Sequence, residues 1–154
     1  MKPNTFTKLY VHCVFSPKGR ESLMKPGPRE EIQKYIYGII KGEKCYPIAI
    51  NGTENHIHIL TGFIPTITIS DLVRDIKRSS SLYVNENHLI PEYFRWQDGY
   101  GAFTVGYREL DKVYHYILNQ ETHHKICSFK DEYIKMLDEE GFEDFDDYIY
   151  EFYD

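Results

Sequence analysis

Two histidines stand two residues apart in the run Asn55-His56-Ile57-His58-Ile59-Leu60. In an extended strand, residues two apart project from the same face. His56 and His58 would therefore present two imidazoles side by side, with Ile57 and Ile59 facing the other way. Two neighbouring imidazoles form half of a divalent-metal site. Alone the motif is weak, because a His-x-His pair also arises on a polar sheet face that holds no ligand. A second chemical element lies in Val113-Tyr114-His115-Tyr116-Ile117-Leu118-Asn119-Gln120. Helical positions four apart share a face, which aligns Tyr116 with Gln120. A phenol and an amide oxygen on one face can serve as nucleophile and metal ligand. Taken alone, the same pair reads as a packed tyrosine and a solvated glutamine. His12, His88, His115, His123 and His124 lack partners at metal-ligand spacing, and His123-His124 reads as a helix C-terminal cap, where imidazolium suits the dipole.

The elements that must carry these groups are legible from periodicity. Residues 5–15, TFTKLYVHCVF, are rich in β-branched and aromatic types and read as a first strand. A helix follows over REEIQKYIYGIIKGEK, with Ile32, Tyr35, Ile36, Ile39 and Ile40 at helical spacing, Glu30 and Glu31 in its first turn and Gly42 as its stop. CYPIAI and HIHILTGF flank an Asn51-Gly52 and read as a hairpin. A second helix fits SDLVRDIKRSSSLYVNE, with Ser70 as its N-cap. Residues 92–106 look like a strand pair around Asp98-Gly99. A third helix runs from about Arg108 to Gln120 and a fourth from about Phe129 to Glu140. Strand, helix, strand, strand, helix, strand is the split βαβ order of an α+β, ferredoxin-like antiparallel sheet, here with additional C-terminal helices. Such a fold hosts many activities, so function must be argued from the site.

Composition sets further bounds. The chain has 154 residues, a length suited to one domain. No apolar run is long enough to span a bilayer, so no membrane association is expected. The opening MKPNTFTKLYVHCVF lacks an apolar signal core, and Cys13, Cys45 and Cys127 are scattered and odd in number, which fits reduced thiols and a cytoplasmic location. The net charge of −6 argues at first against a nucleic-acid partner. Its distribution changes that. Residues 130–154 hold eleven acidic and two basic side chains, leaving 16 basic and 13 acidic residues in the first 129. The chain divides into a mildly basic body, residues 1–138, and an acidic C-terminal tail, residues 139–154. The tail reads as a solvated helix and ragged end, or as a segment that limits DNA binding by self-competition.

Taken together, YVHCVFSPKGR, NHIHIL, LVRDIKRSSS, WQDGYGAFTVG and VYHYILNQETHH, in this order, resemble the small single-tyrosine HUH transposases that move insertion sequences as single-stranded DNA. The chain is also similar to their domesticated relatives associated with repetitive extragenic palindromes. The resemblance covers about residues 6–136. It implies a metal-dependent strand transferase in which Tyr116 is the nucleophile and His56, His58 and Gln120 hold Mg²⁺ or Mn²⁺, with Ile57 as the bulky residue between the histidines. Cleavage would leave a 5′-phosphotyrosine and a free 3′-OH. The expected partner is single-stranded DNA with hairpins, and Lys18, Arg20, Lys77 and Arg78 are the candidate phosphate contacts. The resemblance further implies a homodimer in which the third helix can deliver Tyr116 to the other subunit's histidines. An apolar first strand left as a sheet edge would favour such pairing. Thr104-Val105-Gly106-Tyr107 departs from the family, which often has small hydroxyl residues there, and Tyr114 remains a second candidate nucleophile. Two other readings stay open: a domesticated DNA-binding protein acting on repeat hairpins or in regulation without transposition, and a metal-binding domain with no DNA role.

Overall fold

The computed structural model of the chain describes residues 4–145 and 149–154. Its centre is a four-stranded antiparallel sheet of β1 (Tyr10–Phe15), β2 (Tyr46–Thr53), β3 (His56–Gly62) and β4 (Gly101–Thr104), in the order β2-β3-β1-β4. Helices α1 (Pro26–Gly42) and α2 (Ile69–Glu86) follow β1 and β3. This is the ferredoxin-like order expected from the sequence. Three helices follow β4: α3 (Leu110–Leu118), the short α4 (Gln120–His123) and α5 (Phe129–Glu139). Among the described residues, no helix is long and apolar enough to cross a membrane.

Strand alternation decides which side chains meet. Val11, Cys13 and Phe15 of β1 and Ile57 and Ile59 of β3 join one apolar core with Ile32, Ile36 and Ile40 of α1 and Leu72, Val73 and Ile76 of α2. The isoleucines of α1 recur every fourth residue, so one stripe of the helix is buried. His56, His58 and Leu60 belong to the opposite face, which α3, α4 and α5 cover. The β1–β3 register sets His12 opposite Leu60 and Val14 opposite His58. His12 is thus a diagonal neighbour of His58 on that second face.

Several local expectations are corrected. Asn51-Gly52 lies inside β2, and the hairpin turns instead at Glu54-Asn55. Gly52 is needed for close approach: a Cβ there would meet the His56 carbonyl oxygen at 2.2 Å. Helix α1 starts at Pro26, ahead of Glu30 and Glu31, so its first turn has no acidic residue; proline suits that position because its missing N–H would have no intrahelical acceptor. Thr68, not Ser70, caps α2, its side chain accepting from the Asp71 amide.

The strand pair around Asp98-Gly99 does not form. Residues 95–97 bond instead to the chain after β1, with Lys18 N–H donating to Arg95 O and Gln97 N–H to Ser16 O, each at 2.9 Å. Phe94 and Trp96 turn into the core, and the Asn85 amide clasps both backbone groups of Phe94. Burying two large rings outweighs what a solvent-facing hairpin would gain.

The first strand is not an edge. β1 pairs with β3 on one side and β4 on the other, and β2 and β4 are the outer strands. The edge argument for dimerisation therefore fails on this topology. Beyond α5, residues 149–154 return to the body. Tyr150 is buried and donates to Val14 O at 3.0 Å. The Asp154 carboxylate accepts from the Phe129 and Lys130 amides at the start of α5 and from Asn55. An anion at a helix N-terminus satisfies free N–H groups and complements the dipole.

Phe129 fixes α5 on the sheet, fully buried and stacked on the His56 ring at 4.1 Å between centroids. Phe129→Ala is expected to destabilise the fold by about 3–5 kcal/mol, visible as a lowered urea midpoint with unchanged slope. A midpoint equal to wild type would show that this docking contributes little.

Candidate active site

The second face of the sheet gathers the chemistry. His56 and His58 are fully buried on β3, and each is held from behind. His58 Nδ1 lies 2.7 Å from His12 Nε2. His56 Nδ1 lies 2.8 Å from Asn55 Oδ1 and 2.9 Å from Thr53 Oγ1. The Nε2 atoms of both histidines point to a common centre. Asn51, opposite His58 on β2, donates to the Ile117 and Leu118 carbonyls at 3.0 and 3.2 Å. That contact pins the C-terminal end of α3 to the sheet beside the histidines.

The helix expected to run through Gln120 breaks at Asn119, with φ −93° and ψ 17°, and α4 begins at Gln120. Tyr116 and Gln120 still meet. The Gln120 amide nitrogen is 3.4 Å from Tyr116 O, and its Oε1 is 2.9 Å from His56 Nε2. Tyr116 lies with its ring centroid 5.8 Å from that of His58 in the same chain. Its hydroxyl donates to Glu132, whereas Tyr114 turns its ring toward His115. The geometry thus puts Tyr116, not Tyr114, at the histidine pair.

Glu132, from α5, fills the centre and was not singled out in the sequence. Its Oε1 lies 3.3 Å from His56 Nε2, 3.2 Å from His58 Nε2 and 2.9 Å from His124 Nε2. Its Oε2 accepts from Tyr116 and, at 3.2 Å, from Gln120 Nε2. His123 Nε2 stands 3.5 Å from Oε2 without making a hydrogen bond. His12, His123 and His124 therefore belong to the site, which corrects the expectation that they stand apart or serve as a helix cap. The signals were present but quiet. Glu132 sits on the stripe of Phe129, Tyr133 and Leu137, all buried, and a carboxylate on an apolar stripe is unusual unless partnered. His12 likewise interrupts the apolar run of β1.

Burial, then the charge of His58, lowers the pKa of His12 to about 3; burial lowers that of His56 to about 4. Burial works to raise that of Glu132, but hydrogen bonds from His124, His56 and His58 outweigh it and hold the carboxyl ionised. Burial, then the Glu132 carboxylate, raises that of Tyr116 well above the ordinary phenol range. The free protein thus holds Tyr116 as a neutral phenol.

These residues fit a divalent cation, and the surroundings of His56 test the point. Asn55 gives its amide nitrogen to Asp154, so its Oδ1 must face His56 Nδ1. Gln120 gives its amide nitrogen to Glu132 and Tyr116 O, so its Oε1 must face His56 Nε2. Both nitrogens of one imidazole therefore face acceptors, and a neutral imidazole has a proton for only one of them. With Nδ1 protonated, the Nε2 lone pair opposes two oxygens, an arrangement that a cation among them satisfies. The histidine-to-oxygen separations of 2.9–3.3 Å are near the ~3 Å that adjacent ligands adopt around an octahedral ion with bonds of about 2.1 Å. The contacts at the far Nδ1 atoms are of the kind that orient metal-bound histidines.

A cleft of ≈ 530 Å³, lined by His12, Tyr116, His123 and Glu132, with Lys112 and Lys135 among its other walls, gives access from solvent. The four candidate phosphate contacts lie elsewhere. Arg78 is exposed on α2. Lys77 turns inward, its ammonium on the Gln97 and Gly99 carbonyl oxygens, and burial lowers its pKa to about 8. Lys18 pairs with Glu151 at 2.9 Å, and Arg20 lies over the Tyr153 ring.

A four-stranded sheet with paired histidines on one strand, faced by a helical tyrosine and glutamine, defines a recognisable class of protein. Residues 5–120 match the family model described as "Transposase IS200 like", and the chain belongs to that family. Two solved structures share the fold. One is a candidate transposase from Deinococcus radiodurans R1, at TM-score 0.61 and 22% identity, covering 78% of this chain and 96% of that one. The other is a REP-associated tyrosine transposase bound to a REP hairpin, at TM-score 0.59 and 13% identity, covering 80% of this chain and 73% of that one. No curated protein matches the chain significantly.

Proposed function

We propose that this protein cleaves and rejoins single-stranded DNA through a 5′-phosphotyrosine on Tyr116, at a site where His56, His58 and Gln120 hold Mg²⁺ or Mn²⁺. One observation carries the reading: the tyrosine hydroxyl, both histidine Nε2 atoms and the glutamine amide all converge on the two oxygens of Glu132. Nucleophile and cation ligands thus share one buried centre.

The chemistry follows from these positions. Tyr116 Oη loses its proton and bonds to phosphorus, the P–O3′ bond breaks, and the 3′ oxygen leaves as a hydroxyl. Rejoining is the reverse attack, in which a 3′-OH displaces the tyrosine. The bond energy stays in the phosphotyrosine link, so no nucleotide cofactor is needed. A divalent ion held by His56, His58 and Gln120 would supply Lewis-acid polarisation of a non-bridging phosphate oxygen. His12, Asn55 and Thr53 fix the histidines, and Asn51 fixes the end of the helix that carries Tyr116; such preorganisation keeps reacting groups in attack geometry. Burial and the Glu132 carboxylate hold Tyr116 as a neutral phenol in the free protein.

Lys18, Arg20 and Arg78 are proposed to meet phosphates. Lys77 would act by holding the 97–99 segment. The tail lies on Lys18 and Arg20 through Glu151 and Tyr153, which favours the self-competition reading of its charge. The REP-hairpin complex of the structural relative supports a hairpin-containing strand as substrate. A homodimer is proposed on the family resemblance.

The test is binding and cleavage of end-labelled DNA. A hairpin-bearing single strand should bind more tightly than a perfect duplex of the same sequence. Its affinity should fall as salt rises, and strand breakage should require Mn²⁺ or Mg²⁺ and stop with a chelator. Equal or tighter duplex binding, or cleavage that survives chelation, would contradict the proposal.

A further inference from the structure

We infer that Glu132 is itself a ligand of the cation, so that the centre is a two-histidine, one-carboxylate site completed by Gln120. The inference rests on the proposed metal dependence and extends it to a residue beyond the 5–120 family match.

Three observations carry it. First, the described residues offer two three-residue groups whose donor atoms lie within 4.8 Å of one another, His56-His58-Glu132 and His123-His124-Glu132. Glu132 belongs to both, so an ion held by either group takes this carboxylate. Second, Glu132 has a side-chain exposure of 2%, and among the described residues its ion-pair partners are histidines alone, His56, His58, His123 and His124. A buried carboxylate without lysine or arginine calls for another positive charge, and a divalent ion bound by neutral imidazoles supplies it. Third, the two oxygens have separate tasks. Oε1 faces the His56 and His58 nitrogens at 3.3 and 3.2 Å, while Oε2 faces the Tyr116 hydroxyl and the Gln120 amide nitrogen. One carboxylate can thus bind the ion and position the phenol beside it.

The position is also built to last. Glu132 lies in the first turn of α5, anchored by Phe129 on His56, by Ser128 capping the Asp131 amide and by Asp154 on the Phe129 and Lys130 amides. A mixed nitrogen and carboxylate set suits Mn²⁺ better than an all-imidazole set, because hard oxygen donors favour hard cations.

The experiment is a Mn²⁺ soak of crystals of the full chain without DNA, read by anomalous difference density. The expected peak lies within about 2.4 Å of His56 Nε2, His58 Nε2 and a Glu132 oxygen. A peak on the histidines with Glu132 turned away would overturn the inference and leave the metal-dependent reading intact. No peak at the histidines would remove that reading as well. Mn²⁺ calorimetry gives a second measure. His58→Ala should abolish binding, and Glu132→Gln should weaken it at least tenfold while circular dichroism stays native. A folded Glu132→Gln that binds within threefold of wild type would also overturn the inference.

Discussion

Tyr116→Phe is expected to remove the covalent protein–DNA adduct completely and to lower strand cleavage by roughly 10⁴-fold or more, the scale of losing a nucleophile from a site that acts as a unit. The fold should survive. The change deletes one hydroxyl whose partner, Glu132, keeps its hydrogen bonds with His58, His124 and Gln120, so the loss of stability is about 1–3 kcal/mol. Single-strand binding should stay near wild type, because the phenyl ring still fills its place. Tyr114→Phe provides the contrast. Its ring faces His115 rather than the histidine pair, and cleavage should remain within a few-fold of wild type. Loss of the adduct in Tyr114→Phe but not in Tyr116→Phe would move the nucleophile.

The second large effect concerns whether one chain holds a whole site. The family resemblance implies that the helix bearing Tyr116 can serve the partner's histidines. In this structure Tyr116 reaches the histidines of its own chain, with its ring 5.8 Å from His58 and its hydroxyl on Glu132. Asn51 ties the end of α3 to the same sheet. Co-expressed Tyr116→Phe and His56→Ala chains should therefore be as inactive together as apart, because no chain in the mixture holds both groups. Recovery toward about a quarter of wild-type cleavage, from one complete site in each mixed dimer, would show that the tyrosine crosses between subunits, which would require α3 to leave its Asn51 contacts.

Much of this was legible in the residues, for physical reasons. Strand alternation places His56 and His58 together whatever surrounds them, and helical spacing pairs Tyr116 with Gln120 closely enough that even the break at Asn119 leaves them in contact. That break lacks a glycine or proline signal and comes from tertiary contacts, among them Asn51 on the last carbonyls of α3. The strand pair at 92–106 was misread because β-rich aromatic residues suit a core as well as a sheet, and Phe94 and Trp96 went to the core. Asn51-Gly52 misplaced the hairpin turn because glycine was needed for cross-strand approach, not for a left-handed turn. Glu132 escaped notice through its company. Counted among eleven acidic residues after position 129, it looked like one more solvated charge. Only the stripe of Phe129, Tyr133 and Leu137 distinguishes it, and no spacing rule links it to histidines over 70 positions earlier in the chain.

The central claim is that Tyr116 forms the covalent bond to DNA. The protein should be incubated with a hairpin-bearing single strand and Mn²⁺, denatured, digested with nuclease and protease, and the peptides mapped by tandem mass spectrometry. A phosphonucleotide is expected on Tyr116 and should be absent from Tyr116→Phe and from chelator-treated samples. Cleaved DNA with no modified tyrosine, or a modification on any residue other than Tyr116, would contradict it.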